Sequence, residues 1–309
     1  MDAADMQPVL SSHLFVKQTL HPSQLDLLIA AGAQGIEVVA AQPHLDYTSR
    51  SAVRELGQYF ASSAVPFHSV HAPMYRNESA ASHRERNNII HRQRSERIDA
   101  MDDIKRAIEI AELAPFKFLV LHLDEYDEPW SEAVLDLSIT AVEHLQAFAR
   151  PLGVKIAIEN LCNEVTQPQY LLHILNTGHF TDAGICFDSG HAHIVAAGRA
   201  RSRSSVHAED GSVVATREDV VAEYMAMLEQ MAPRILTTHL HDNDSTRDAH
   251  LWPGDEPEGL GVPWQQTMEV LSKAANQPAC NLEIHHSLGA EPEQIGPRAH
   301  AAFRMMLGS

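Results

Sequence analysis

The chain has 309 residues, with 23 Lys+Arg against 41 Asp+Glu, a formal net charge of −18 and 20 histidines. Its apolar share of 44% and charged share of 21% exclude a disordered chain, and the acid excess weighs against nonspecific DNA binding, which needs phosphate neutralisation. No run approaches the roughly 20 apolar residues of a membrane span, and Cys162, Cys186 and Cys280 lack CxxC spacing and cannot build a disulfide framework.

Eight short β-rich runs appear in chain order. They are Ser12–Val16, Gly35–Val39, Phe67–Val70, Phe118–Leu121, Lys155–Ile158, Ala183–Phe187, Ile235–Leu240 and Asn281–Ile284. Between them lie segments of helical period. Leu25, Leu28 and Ile29 mark one, and Ile98, Met101, Ile104, Ile108 and Leu113 another. Val134, Leu137, Val142 and Leu145 mark a third, and Val220, Tyr224, Met227 and Leu228 a fourth. Strand alternating with helix predicts a parallel sheet covered by helices, and eight such units predict a closed (β/α)8 TIM barrel. No GxGxxG follows a strand and no Walker A sequence is present. Barrels of this size are routinely one domain. The expectation is therefore a single domain over residues 1–309, with its barrel core at about 11–305.

Two connections are long. Residues 76–97 carry Arg76, Arg84, Arg86, Arg92, Arg94 and Arg97 against Glu78, Glu85 and Glu96. Residues 199–217 form a polar run with little periodicity, read as a loop after the sixth strand. Such charge runs are usually solvated faces. The functional alternative is contact with an anionic or polar substrate over the barrel mouth.

In a barrel of this kind the active site lies at the C-terminal ends of the strands. The residues falling there are Glu37, His71, His122, Glu159, Asp188 followed by His191, then His239, and Glu283; the loop after the seventh strand adds Asp248 and His250. Any one of them alone is more often a satisfied polar residue than a ligand. Together they would place several carboxylates in one mouth, where they repel each other unless a cation neutralises them. A divalent metal site is predicted, with Mn, Co, Mg or Zn all suited to mixed oxygen and nitrogen donors.

These residues sit in Gly35-Ile36-Glu37-Val38, Val70-His71-Ala72-Pro73, Ile158-Glu159-Asn160, Phe187-Asp188-Ser189-Gly190-His191, His239-Leu240-His241-Asp242, His250-Leu251-Trp252-Pro253-Gly254 and Leu282-Glu283-Ile284. In these motifs the chain resembles the xylose-isomerase-like TIM barrel superfamily, which holds sugar isomerases and epimerases and also endonuclease IV. The isomerase-type resemblance implies one metal held by Glu159, Asp188, His239 and Glu283. It also implies that Glu159 and Glu283 move a proton through an enediolate, as abstraction beside a carbonyl requires. The endonuclease-type resemblance implies a three-zinc phosphoesterase site built from His71, His122, Glu159, Asp188, His191, His239, Asp248, His250 and Glu283, all of the right residue type. The opening stretch, residues 20–38, is similar to the isomerase-type start, and the acidic composition makes DNA a poor partner.

The expected activity is thus a metal-dependent sugar or polyol isomerase or epimerase. A zinc phosphodiesterase and a noncatalytic metal-binding barrel are the alternatives. The remaining four histidines and Asp248 are expected as further metal or substrate ligands, and Glu37 and Trp252 as substrate contacts, Trp252 against the apolar face of a sugar. The acidic N-terminus Met1-Asp2-Ala3-Ala4-Asp5 is unlike a basic signal peptide, so a cytoplasmic, non-membrane enzyme is expected; a homo-oligomer is left open, dimers and tetramers being common among relatives. Lys17 is read as solvated, Cys186 as core, and His241 and Asp242 as partners that orient His239. His13 carries no site argument.

Overall fold

The computed structural model describes residues 3–76, 86–124, 128–207, 213–256, 260–289 and 291–308. Eight parallel strands form the barrel wall: β1 (Pro8–Ser11), β2 (Gly35–Val39), β3 (Phe67–His71), β4 (Phe118–Leu121), β5 (Lys155–Glu159), β6 (Ala183–Asp188), β9 (Ile235–His239) and β10 (Cys280–Leu282). β7 (Val206–His207) and β8 (Val213–Val214) make a separate antiparallel ribbon. The sheet order is β10-β1-β2-β3-β4-β5-β6-β9. Its two ends meet through a parallel bridge between Leu240 and Leu282, where Leu240 N–H donates to Asn281 O at 2.8 Å. That contact brings the eight-stranded sheet round into a (β/α)8 TIM barrel.

The strands read as short Val/Ile/Leu runs because both faces are covered, one by the barrel interior and one by helices. β2, β3, β6 and β9 are buried along their whole length. The outer layer comprises α1 (Pro22–Ala30), α2 (Arg50–Ser62), α3 (Arg94–Ile108), α4 (Glu132–Ala149), α5 (Pro168–Thr177), α6 (Ser189–Arg203), α7 (Arg217–Met231), α8 (Trp264–Ser272) and α9 (Pro292–Leu307). Their starts are chemically marked. Ser49 accepts from Ala52 N–H ahead of α2, Ser131 from Val134 N–H ahead of α4, and Thr216 with Asp219 forms a capping box on α7. In α4, Val134, Leu135, Val142 and Leu145 are buried against the barrel, each contributing roughly 1.5–3 kcal/mol.

Two sequence expectations change. Ser12–Val16 is not a strand: the first strand is Pro8–Ser11, and Ser12–Phe15 turns into a 3₁₀ helix. The Ser11 side chain accepts from His13 N–H, a local bond that ends the strand and starts the turn. The polar run 199–217 is not one loop either. Its first residues finish α6, and Val206–His207 pairs with Val213–Val214. Among the described residues no helix is long and apolar enough to cross a membrane.

Candidate metal centre

Strand register assembles the site. On adjacent strands Asp188 pairs with His239, and Glu159 with Cys186 two residues before Asp188. Oxygen or nitrogen atoms of Glu159, Asp188, His239 and Glu283 all lie within 4.8 Å of one another, and all four side chains are buried. His71 joins Glu159 and His239 in an overlapping group.

Hydrogen bonds fix which nitrogen each imidazole offers. His239 Nε2 lies 3.0 Å from Glu37 Oε1, and Ser69 Oγ–H donates to Glu37 Oε2 at 2.7 Å. His239 Nδ1 lies 3.1 Å from both Glu159 Oε2 and Glu283 Oε2 but makes no hydrogen bond. With Nε2–H given to Glu37, a lone pair and two carboxylates face one point, an arrangement that repels unless a cation sits there. His71 repeats the pattern: Nδ1–H donates to Ala72 O at 2.8 Å, and Nε2 is 3.6 Å from Glu159 Oε2. So does His250: Nδ1–H donates to Glu283 O at 3.0 Å, leaving Nε2 3.0 Å from Asp248 Oδ2. His122 Nε2 stands 3.3 Å from Glu159 Oε2, and His191 Nδ1 stands 3.3 Å from Glu159 Oε1 and from Asp188 Oδ1. The donor set therefore fits a divalent cation of the Mn, Co, Mg or Zn kind.

Asp188 ends β6 and caps α6 at once. Its Oδ1 accepts from His191 N–H at 2.6 Å and its Oδ2 from His241 Nε2 at 3.0 Å. The tight strand-to-helix turn needs Gly190, because a Cβ there would come within 2.0 Å of His241 Cε1. His241 belongs to a second donor group with Asp248 and His250. The rings of His241 and His250 stack at 3.8 Å. This group is less enclosed, since the Asp248 side chain is 40% exposed.

The electrostatics follow from these contacts. Burial opposes ionisation of Glu159, yet His239 and His122 hold its carboxyl well below the usual range. Burial likewise opposes Glu37, and the neighbouring His239 brings it down to about 2. Asp188 is lowered against burial by His191 and His241, and Asp248 against burial by His191. Burial disfavours the cationic form of His191 and His239, but surrounding anions raise both well above the ordinary value. His250 is raised to about 9, its bond to Asp248 outweighing burial. Without metal, protons on these imidazoles supply the positive charge that the carboxylates need.

A cavity of about 310 Å³ opens above the donors, lined by His71, His122, Glu159, His191, Asp248, His250 and Glu283 among the expected residues. Asp188 and His239 are fully buried behind the lining residues Glu159, His191 and Glu283, which they contact. Glu37, expected at the substrate, contacts His239 Nε2 and does not line the cavity. Trp252, expected at the substrate, is 1% exposed in the hydrophobic core and does not line the cavity. Its preference for apolar surroundings is met by the core.

The mouth also contains His13, Arg86, Met74, Leu161, Cys162 and Asn163. His13 was hidden by the misplaced first strand; with β1 ending at Ser11, it falls at a strand end like the others. Burial lowers it to about 4. Arg86 comes from the basic run and reaches the mouth because Tyr75 and Arg86 bridge across the base of that connection. Other members of the run are paired: Arg76 with Glu96 and Asp99, and Arg92 with Glu128. Arg84, Glu78 and Glu85 lie outside the described residues. Burial, with Asp188, Asp248 and Glu159 nearby, raises the Cys162 thiol against the opposing effect of His191, which disfavours its thiolate.

The profile of the xylose isomerase-like TIM barrel family matches residues 25–304. The chain belongs to that family. Curated relatives include the uncharacterized proteins y4fM of Sinorhizobium fredii, 22% identical over 55% of this chain and 49% of the relative, and MJ1311 of Methanocaldococcus jannaschii, 29% identical over 49% and 46%. The chain thus spans about half the length of the curated relatives it matches. Similar solved structures include a D-tagatose 3-epimerase-like protein (TM-score 0.69, 20% identity, 98% of this chain and 97% of the other). An IOLI protein with a bound zinc atom gives TM-score 0.72 at 15% identity, with 98% of both chains covered. D-psicose 3-epimerase, solved in the presence of D-fructose, gives 0.69 at 14% identity, with 98% and 100% covered. At these identities the likeness establishes the shared barrel.

Proposed function

We propose that the protein is a divalent-metal-dependent isomerase or epimerase of a sugar or polyol. The observation that carries this reading is the convergence of Glu159, Asp188, His239 and Glu283 on one point beneath a cavity of about 310 Å³. A cation held there would polarise a carbonyl and its neighbouring hydroxyl. Glu159 and Glu283 both line the cavity, and both are placed to exchange a proton with the carbon beside that carbonyl. Asp188, fixed by His191 N–H and His241, adds its carboxylate to the donor group. His71, His122, His191 and His250 surround the cavity as further ligands to metal or to substrate hydroxyls. The epimerases among the similar structures support this reading.

The test is deuterium uptake from D₂O into a panel of ketoses, read by NMR, with Mn, Co, Mg or Zn added. Exchange is expected with at least one ketose, and Glu159→Gln and Glu283→Gln should each reduce it roughly 10²–10⁴-fold. No exchange across the panel overturns the reading.

A second reading, a multinuclear zinc phosphoesterase, is favoured by the separate group of His241, Asp248 and His250 and by His71 and His122 around Glu159. Two or three ions per chain with cleavage of abasic DNA supports it; about one ion per chain supports the isomerase. Metal and sugar binding without turnover marks a noncatalytic barrel.

A further inference from the structure

The mouth has two unlike sides. In the barrel order, β3, β4 and β5 lie across from β9, β10 and β1. The second side contributes Asp248, His250, Glu283 and His13. On the first side the donors face inward, with His71 and His122 turned to Glu159. Around them stand Met74 and Arg86 from the connection after β3, and Leu161 and Asn163 after β5. Among the described residues lining the mouth, Arg86 is the only Lys or Arg.

The segments around Arg86 are fixed. Tyr75 and Arg86 pair across the base of their connection, and the guanidinium carbon lies 6.0 Å from the Tyr75 ring centroid. Next in the chain, Asn87 N–H donates to Met74 O at 2.9 Å, and its amide donates to Pro73 O at 2.9 Å. The Asn88 amide donates to Asp124 Oδ1 at 2.7 Å, and the Asn163 amide to Asp124 O. Buried Asp124 thus ties together the connections after β3, β4 and β5. Other arginines of the basic run serve elsewhere: Arg76 and Arg92 pair with carboxylates, and Arg97 donates to the carbonyls of His91 and Arg92.

This side of the mouth is poor in partners for hydroxyl groups. Met74 and Leu161 are apolar, and Asn163 spends its amide on Asp124 and its Oδ1 on Thr166. A planar carboxylate, by contrast, matches the guanidinium fork with two parallel bonds. A phosphate dianion matches less well. One guanidinium satisfies only part of its three oxygens, and the amides of Asn87, Asn88 and Asn163 are already given. The mouth carboxylates Glu159, Asp248 and Glu283 also repel a double charge more than a single one.

We propose that the substrate is a polyhydroxy acid, with Arg86 holding its carboxylate on the β3–β5 side while its carbonyl and hydroxyl oxygens face the metal donors. This rests on the isomerase reading and names its substrate class, with Arg86 as the residue that sets specificity. The experiment uses three ligands of one carbon skeleton: D-fructuronate, D-fructose, and the phosphate ester of D-fructose at the same end carbon. Each is titrated calorimetrically into the Mn-loaded full chain and its Arg86→Met and Arg86→Lys variants. The acid is expected to bind roughly tenfold or more tighter than the neutral sugar. Arg86→Met should weaken the acid roughly 10- to 100-fold and leave D-fructose affinity and Mn content unchanged, and Arg86→Lys should restore part of the loss. Equal affinity for acid and sugar, or acid binding that ignores Arg86→Met because the metal alone holds it, overturns the proposal. So does tightest binding of the phosphate ester with the same arginine dependence, or no acid binding below about 10 mM. Deuterium exchange separates the two levels. An arginine-dependent preference for the acid without exchange overturns the isomerase reading alone; exchange into D-fructose as readily as into D-fructuronate overturns the acid substrate alone.

Discussion

The two donor groups in the mouth are built differently. Glu159, Asp188 and His239 are the last residues of β5, β6 and β9, and Glu283 follows β10 directly, so barrel register positions all four. Asp248 and His250 sit instead on the long connection after β9, and His250 adopts a left-handed φ of 44°. That connection is anchored chiefly by Asp242 beneath it, which accepts from Asn243, Gly254, Val262 and Trp264. The comparison separates a rigid, enclosed centre from a half-exposed one whose geometry depends on a loop. Strand-held donors are pre-organised and bind without ordering cost; loop-held donors are the ones free to differ among barrels of the same fold.

The sharpest way to break this contrast is Asp188→Ala. It removes a donor, the α6 cap worth about 0.5–2 kcal/mol, and the acceptor for His241. Loss of bound metal and a lowered melting temperature are expected by elemental analysis and thermal melts. An unchanged metal content would place the ion elsewhere. Next comes Glu37→Gln, which touches no cavity atom yet weakens the partner of His239. Metal affinity should fall roughly 10–100-fold with the fold intact, as measured by competition with a chelator. A smaller effect is expected from Asp248→Asn. On the isomerase reading it leaves the strand-held ion in place, whereas loss of a second ion from the elemental analysis would make the loop group a metal site of its own.

The smallest expected change is with pH. His191 and His239 are raised well above the ordinary imidazole value, and His250 to about 9, so the metal-free centre holds protons that an ion must displace. Metal uptake releases protons, so apparent affinity rises with pH, His250 contributing up to about 9 and His191 and His239 through their own raised range. A pH-stat or dye-release titration checks this, and a flat profile between pH 6 and 9 contradicts the protonated metal-free state.

Much of the barrel was legible in the sequence because its signals are local. Seven of the eight strands announce themselves as short, largely apolar runs, and a donor residue closes or directly follows most of them. Gly190 and Asp188 together mark the abrupt turn into α6. The first strand was not legible. Pro8–Ser11 and Ser12–Phe15 have similar apolar character, and only the bond from His13 N–H to Ser11, with pairing of β1 to both β2 and β10, shows where extended backbone ends. That shift is also what concealed His13.

By itself the sequence determined the fold class, the family motifs and the chemical types of the ligands. It also carried the acid excess, which the imidazoles at the mouth partly offset. Tertiary structure alone decided which nitrogen each histidine presents, since that depends on Glu37, the Ala72 carbonyl and the Glu283 carbonyl, partners that spacing does not reveal. It also moved Trp252 into the core, brought Arg86 to the mouth and grouped His241 with Asp248 and His250. The physical reason is common to these cases. Residue type and period are written along the chain, whereas the direction of a side chain and the atom it meets are set by packing between segments far apart in sequence.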